Sequence, residues 1–356
     1  MTIASPDVDA LIARVPAVDP ARERAAWARL DRLTKPPRSL GALEALAARL
    51  VAVIAEDLPG PRVPAILVFA GDHGVAARGV SAYPQAVTVQ MLANFARGGA
   101  AINALARAVG ARLVVADLGT LATGPLPTGI RDHRIARGTR DLASEPAMTV
   151  AQAELAIVTG ARLAHEAIDD GATLLALGEM GIGNTTPAAA LACALAGVPL
   201  ELAVGPGTGL DPVGVAAKRD VVSQALARHR PTADEPLRAL ACVGGFEIAG
   251  LAGAMLAAAG RGVPAIVDGY IAGAAALVAQ AMCPRVQSAL VASHASREPG
   301  HRAVLAHLGL APLLDLELRL GEASGAALAI PLVQAALAVY REMATFAEAG
   351  VSDRAP

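Results

Sequence analysis

Aromatic side chains are nearly missing from this sequence: four phenylalanines, three tyrosines and one tryptophan make up 2% of its 356 residues. With 54% of positions hydrophobic, the core must be built mainly from Ala, Leu and Val. That favours closely packed helices and parallel strands. Charge is also sparse, at 17%, and the 30 basic and 32 acidic side chains leave a formal net charge of -2. Such a balance provides no footprint for nucleic acid or an anionic membrane, so a small-molecule partner is expected. The three cysteines, Cys193, Cys242 and Cys283, lie far apart in apolar runs, without the paired spacing of a zinc site or disulfide framework. They read as buried free thiols. No HExxH or comparable set completes a metal site around Asp72 and His73, and no metal is expected. Nor does a charged segment followed by a long apolar stretch open the chain, where Asp7, Asp9 and Arg14 intervene; the expectation is a cytoplasmic protein. The apolar run Val243–Ala259 contains Glu247 and four glycines, so it reads as a buried helix and its approach, not a membrane span.

What is present is an alternation. Residues 1–58 carry helical patterning, clearest over Ala21–Leu30 and Leu40–Glu56. At Ala65-Ile-Leu-Val-Phe-Ala-Gly-Asp-His-Gly74 a short apolar run ends in glycine and polar residues, as a central parallel strand does where it meets a ligand. The same pattern returns at Leu113–Gly119, Ala172–Glu179, Ala239–Gly245, Pro264–Gly269 and Val286–Ser293. Ala-rich helical stretches lie between them, at Val87–Val109, Val150–Asp169, Thr186–Ala196 and Ile271–Met282. The expected fold is α/β, a doubly wound, Rossmann-like and mostly parallel sheet. The tail after Leu310 is helical again, mainly over Ser324–Ala344, and is expected to join the N-terminal helices. This divides the chain into a large α/β domain at 61–310 and a small helical domain from 1–60 plus 311–356.

The strand ends hold the candidate chemistry. Gly178-Glu-Met-Gly-Ile-Gly-Asn-Thr-Thr-Pro187 follows an expected strand and opens an expected helix. Gly178 and Gly181 allow close backbone approach, Thr185 supplies a hydroxyl, and free helix-start amides favour an anion. A glycine-rich turn of this kind is also often only a turn, and a Walker lysine pattern is lacking. A second loop, Val204-Gly-Pro-Gly-Thr-Gly-Leu-Asp211, has Gly205 and Gly207 and is followed by Lys218, which would neutralise a phosphate or else stand in solvent. No GxGxxG opens the first strand–helix unit, so a mononucleotide fits better than a dinucleotide. Glu322, just before the last long helix, is either a helix-capping charge or a general base in a partly dry pocket. Glu179 is the other carboxylate suited to proton transfer or to orienting a nucleotide. The polar stretch Gly71–Gln85, continuing to Gln90, has the makings of a pocket for a flat ring. His294 reads as a hydrogen-bonded structural residue.

Together these motifs resemble the nicotinate-nucleotide:dimethylbenzimidazole phosphoribosyltransferase family. The resemblance runs from about Leu30 to Ala347. It takes in Thr34-Lys-Pro-Pro-Arg-Ser-Leu-Gly41, Ala70-Gly-Asp-His-Gly74, Gly79-Val-Ser-Ala-Tyr-Pro84, Val87-Thr-Val-Gln-Met91 and Gly98-Gly-Ala-Ala-Ile-Asn103. It continues through the Gly178 and Gly205 loops, Gly244-Gly-Phe-Glu-Ile-Ala249, Ile266-Val-Asp-Gly269, Ser293-His-Ala-Ser296, Glu298-Pro-Gly300 and Leu320-Gly-Glu322. The resemblance implies that a benzimidazole nitrogen attacks the anomeric carbon of nicotinate mononucleotide and that nicotinate leaves, with inversion. It makes Glu322 the general base. Ser81, Tyr83 and Gln90 would line the 5,6-dimethylbenzimidazole pocket, and Glu179, Gly181, Asn184, Thr185, Gly207, Lys218 and Asp268 would hold the nucleotide. It implies no cofactor and a homodimer. The stretch Leu121–Met148 carries no signature.

Two other readings stay open on sequence alone. One is a non-catalytic nucleotide- or benzimidazole-binding protein that keeps the fold. The other is a nucleotide hydrolase that uses water in place of the azole.

Overall fold

The computed structural model describes residues 7–54 and 62–352. Its frame is a six-stranded sheet formed by β1 (Pro64–Gly71), β2 (Arg112–Gly119), β3 (Ile130–Asp132), β4 (Leu174–Met180), β5 (Ala265–Val267) and β6 (Leu290–Ala292). The spatial order is β3-β2-β1-β4-β5-β6, and every pairing is parallel. The chain first winds outward one way from β1 and then returns to wind the other way from β4. The crevice beyond the carboxyl ends of β1 and β4 is therefore the switch point at which such sheets bind ligands.

Alternation along β1 shows how few side-chain types are needed to cover both faces. Leu67 and Phe69 face the helices Val150–Asp169, Phe246–Gly260 and Tyr270–Met282, while Ile66, Val68 and Ala70 face Ala42–Val53, Ala101–Ala108 and Ser324–Glu342. Small side chains let the helices come close. At the crossing of Val150–Asp169 with Phe246–Gly260, a Cβ on Gly160 would overlap the Gly250 backbone, and one on Gly253 would overlap Ile157. The first of these helices starts on a capping box in which the Gln152 amide donates to Thr149 Oγ1 at 3.1 Å and the Thr149 amide to Gln152 Oε1 at 2.9 Å.

Residues 29–35 and 340–346 meet on one face. The Thr34 amide donates to the Ala344 carbonyl at 3.0 Å, the Phe346 amide to the Arg32 carbonyl at 3.0 Å and the Arg29 guanidinium to the Tyr340 carbonyl at 2.9 Å. Lys35 and Glu44 form a buried ion pair at 2.6 Å, and the Arg38 guanidinium lies 3.5 Å from the centre of the Trp27 ring. The apolar helix Ser324–Glu342 buries Ala326, Ala327, Ile330 and Val333 against the sheet.

Several expectations need correction. Ala239–Gly245 is not a strand but the end of the helix Pro236–Val243, followed by two glycines that open the next helix. Pro236 at the first helical position favours a helix start, and a short apolar run leaves helix and strand indistinguishable. The helical stretch Val87–Val109 is two helices, Ala86–Ala96 and Ala101–Ala108, because Gly98 takes φ +77° between them. Only Leu290–Ala292 of Val286–Ser293 is strand; the residues before it form a 3-10 turn. The unassigned stretch Leu121–Met148 supplies β3. Residues 311–323 are largely irregular, and Glu56, the expected end of an N-terminal helix, lies outside the described residues. The run Val243–Ala259 is indeed buried, chiefly as the helix Phe246–Gly260. Cys242 and Cys283 are buried free thiols, whereas Cys193 is only half-buried.

Candidate active site

Beyond β1 and β4 opens a cavity of about 240 Å³. Part of its lining is apolar, with Val87 and Met91 one turn apart on the helix Ala86–Ala96, joined by Met180, Ile182 and the half-exposed Tyr83. The lining also includes Asn184, Thr185, Gly207, Thr208, Gly269, His294, Ser296 and Glu298. Glu179 and Glu322 are on the same lining.

Glu322 reaches this wall through unusual backbone. Gly321, Glu322 and Ala323 take φ values of +85°, +59° and +62°, and for the two non-glycine residues that costs on the order of 2–4 kcal/mol together. The surroundings hold them there. The Glu322 amide donates to the Glu179 carbonyl at 3.1 Å, and the Ser324 amide to the Gly321 carbonyl at 3.0 Å. Asp268 Oδ1 accepts from the Ala326 amide at 3.0 Å, tying the start of the final long helix to the end of β5. Gly178 has a related task. A Cβ there would overlap the backbone of Ala323, so this glycine lets the Glu322 turn lie directly on β4.

The electrostatics follow from burial. Glu322 is 5% exposed, its Oε2 has no hydrogen-bond partner, and burial raises its pKa to about 7. Glu179 is pushed up to about 8 by burial and then by the neighbouring Glu247 and Asp268 carboxylates, although it accepts a hydrogen bond from the Asn184 amide. Asp268 rises to about 7 by burial, against the pull of backbone amides. These carboxyls cannot all be ionised together at neutral pH, so they titrate as a group. Beneath them, His73 Nε2 and Glu247 Oε1 form a fully buried pair at 2.7 Å.

Lys218 is 1% exposed, not solvated. Its Nζ donates to Thr185 Oγ1 at 2.6 Å and to the Gly205 carbonyl at 3.2 Å, and burial lowers its pKa to about 8. It thereby braces two glycine loops from behind. Gly207, with φ +56°, donates its amide to Glu298 Oε1 at 2.9 Å, and a Cβ on Gly205 would overlap the Glu298 carboxylate.

Of the residues singled out in the sequence, Glu322, Glu179, Tyr83, Gly181, Asn184, Thr185 and Gly207 line one cavity. Ser81, Lys218, Asp268, Gly178 and Gly205 stand behind the wall. Ser81 Oγ lies 2.9 Å from Thr208 Oγ1 and so links the loop carrying Tyr83 to the glycine loop. Gln90 is exposed and absent from the wall, which its helical neighbours Val87 and Met91 supply instead.

The chain as a whole has counterparts among known proteins. A phosphoribosyltransferase family model matches residues 15–351. The chain is 51% identical over 343 residues to the nicotinate-nucleotide–dimethylbenzimidazole phosphoribosyltransferase of Roseiflexus sp. strain RS-1, covering 96% of this chain and 97% of that one. It is 53% identical over 336 residues to the protein of that name from Pseudomonas aeruginosa strain UCBPP-PA14, covering 94% and 96%. The crystal structure of CobT from Thermus thermophilus superposes with a TM-score of 0.90 at 49% identity, over 94% of this chain and all of that one. The chain belongs to the nicotinate-nucleotide–dimethylbenzimidazole phosphoribosyltransferase family. Within that family's fold, sequence reasoning passed over the apolar wall and gave no role to Glu298, Thr208, Ser296 or Arg319, all on the cavity. Glu298 had a usable signal, since it lies just past β6 and the carboxyl ends of strands are where such sheets bind ligands.

Proposed function

We propose that this chain transfers the 5-phosphoribosyl group of nicotinate mononucleotide to 5,6-dimethylbenzimidazole, releasing nicotinate and forming alpha-ribazole 5'-phosphate. The observation that carries the reading is Glu322 on the wall of the cavity that Asn184, Thr185 and Gly207 also line, desolvated and with a free carboxylate oxygen. The flat base lies against Val87, Met91 and Met180, under Tyr83. One ring nitrogen attacks the anomeric carbon as the bond to the pyridinium nitrogen breaks. That bond's electron pair stays on the departing ring, which leaves as nicotinate with a neutral ring nitrogen. The Glu322 carboxylate takes the proton from the other azole nitrogen. A half-cationic ribosyl group forms meanwhile beside Glu179 and Glu322, and whatever negative charge this carboxyl cluster retains stabilises it. Thr185 and the Gly207 loop, braced by Lys218, hold the phosphate. Ser81 supports the base side through Thr208.

Product identification by chromatography, with both substrates and purified protein, tests the reading. Formation of alpha-ribazole phosphate is expected; saturable binding without product would instead favour a binding protein, and nicotinate release without added base a hydrolase. The division into a large domain at 61–310 and a small helical one from 1–60 plus 311–356, a homodimer and a cytoplasmic setting belong to the same proposal. The hydrogen bonds that join the terminal helices support the first, and sedimentation equilibrium checks the second.

A further inference from the structure

At the end of β6 a hydrogen-bond chain fixes the protonation of a histidine. Ser293 Oγ donates to the Asp268 carbonyl at 3.0 Å and also lies 2.9 Å from His294 Nδ1. A hydroxyl has one proton, and here a carbonyl, which can only accept, takes it. The proton between Ser293 and His294 therefore belongs to the ring, on Nδ1. Burial keeps the imidazole neutral, although Asp268 Oδ1 lies 4.0 Å from Nδ1 and Asp315 pulls the other way. The remaining nitrogen, Nε2, thus carries a lone pair. The ring is held in place on its other sides as well. The absence of a Cβ on Gly325 makes room for it beneath the first turn of Ser324–Glu342, the Cβ position of Gly269 is 3.8 Å from Nε2, and the His301 ring packs edge-on at 6.0 Å. The ring lines the cavity on its Gly269 and Ser296 side.

An oriented acceptor on this wall needs a donor from the ligand. Given the substrates proposed above, on which this inference rests, the choice is narrow. The azole N–H belongs to Glu322. The phosphate dianion and the nicotinate carboxylate present only acceptors. The ribose hydroxyls remain. We infer that His294 Nε2 accepts a hydrogen bond from the 2'- or 3'-hydroxyl of the nucleotide, making His294 the residue by which the site requires an intact ribose.

Rates with nicotinate mononucleotide and its 2'-deoxy and 3'-deoxy forms test this. For the wild-type chain, removing the bonded hydroxyl should lower kcat/KM roughly 10- to 100-fold, because the acceptor is left unpaired. In His294→Asn the amide nitrogen replaces Nδ1–H towards Ser293 while the acceptor at Nε2 is lost. Expected for this variant are a roughly tenfold rise in KM for the ribose substrate, an unchanged KM for the base, and discrimination against the deoxy analogue falling to about twofold. His294→Leu, which has no acceptor at all, should show the same collapse and serves if the first variant melts early. Full discrimination retained in either folded variant, or wild-type enzyme that uses both deoxy forms as well as the ribose, would overturn the inference. Absence of any turnover with the ribose substrate would defeat the proposed reaction instead.

Discussion

Glu322 illustrates how much of a carboxylate's chemistry lies in its backbone. Its type and its place before a long helix were readable in the sequence, but not the left-handed turn that points it into the cavity, since turn geometry at a non-glycine residue is imposed by tertiary contacts with β4. Because Glu322 works as the carboxylate and titrates at about 7, the rate should rise with pH up to about 7 and level off above it. A Glu322→Gln variant should lose about 100-fold in kcat and this acidic limb together, checked by steady-state rates from about pH 5 to 9. Unchanged turnover would remove Glu322 from its role. Glu179 bears on stability as well. Its folded pKa of about 8 exceeds the ordinary value of 4.5, so the folded state binds the extra proton, and stability is lost as pH rises through that interval. Glu179→Gln should therefore flatten the fall in Tm between about pH 5 and 8, measured by thermal melts, while reducing activity. Gly178 and Gly205 were legible as glycines that admit a close approach, but their neighbours proved to be Ala323 and Glu298, contacts no local pattern encodes.

The helix Val150–Asp169 was legible to the residue, because its apolar face repeats over more than five turns. Ala239–Gly245 failed for the reverse reason: a short run of small apolar residues fits either element, and what settles it is burial beside Val150–Asp169. The three-residue β3 was invisible because so short a segment has no periodicity. Composition foretold close helix packing without locating it. The crossing of Val150–Asp169 and Phe246–Gly260 depends on Gly160, whose Cβ would meet backbone, not a yielding side chain. Gly160→Ala should cost about 3 kcal/mol in denaturant unfolding, with turnover per folded molecule unchanged. A destabilisation below about 1 kcal/mol would mean that the helices separate cheaply.

The sheet order follows from alternation only in part: parallel strands and two helical faces were legible, but the reversal between β1 and β4, which locates the crevice, depends on crossovers that hydrophobic pattern does not encode. Low charge and a carboxyl-rich centre make the fold's pH response unusual. His301 is buried with its pKa depressed to about 3, below the ordinary value of 6.5. The sign is that of a group buried neutral: its contribution is present above about 6.5 and is lost as pH falls towards 3. Melting temperature should drop over that range, and less steeply in His301→Asn, whose carbonyl can still accept from the Ser296 amide.

The pairing of Trp27 with Arg38 has a practical consequence. As the sole indole, stacked under a guanidinium among the terminal helices and away from the ligand crevice, it makes the chain a one-probe fluorimeter. Intrinsic emission excited near the red edge of protein absorbance will follow the chain ends undocking, while benzimidazole spectra report occupancy of the crevice. The two optical signals can then be read in a single cuvette to ask whether docking and occupancy are coupled.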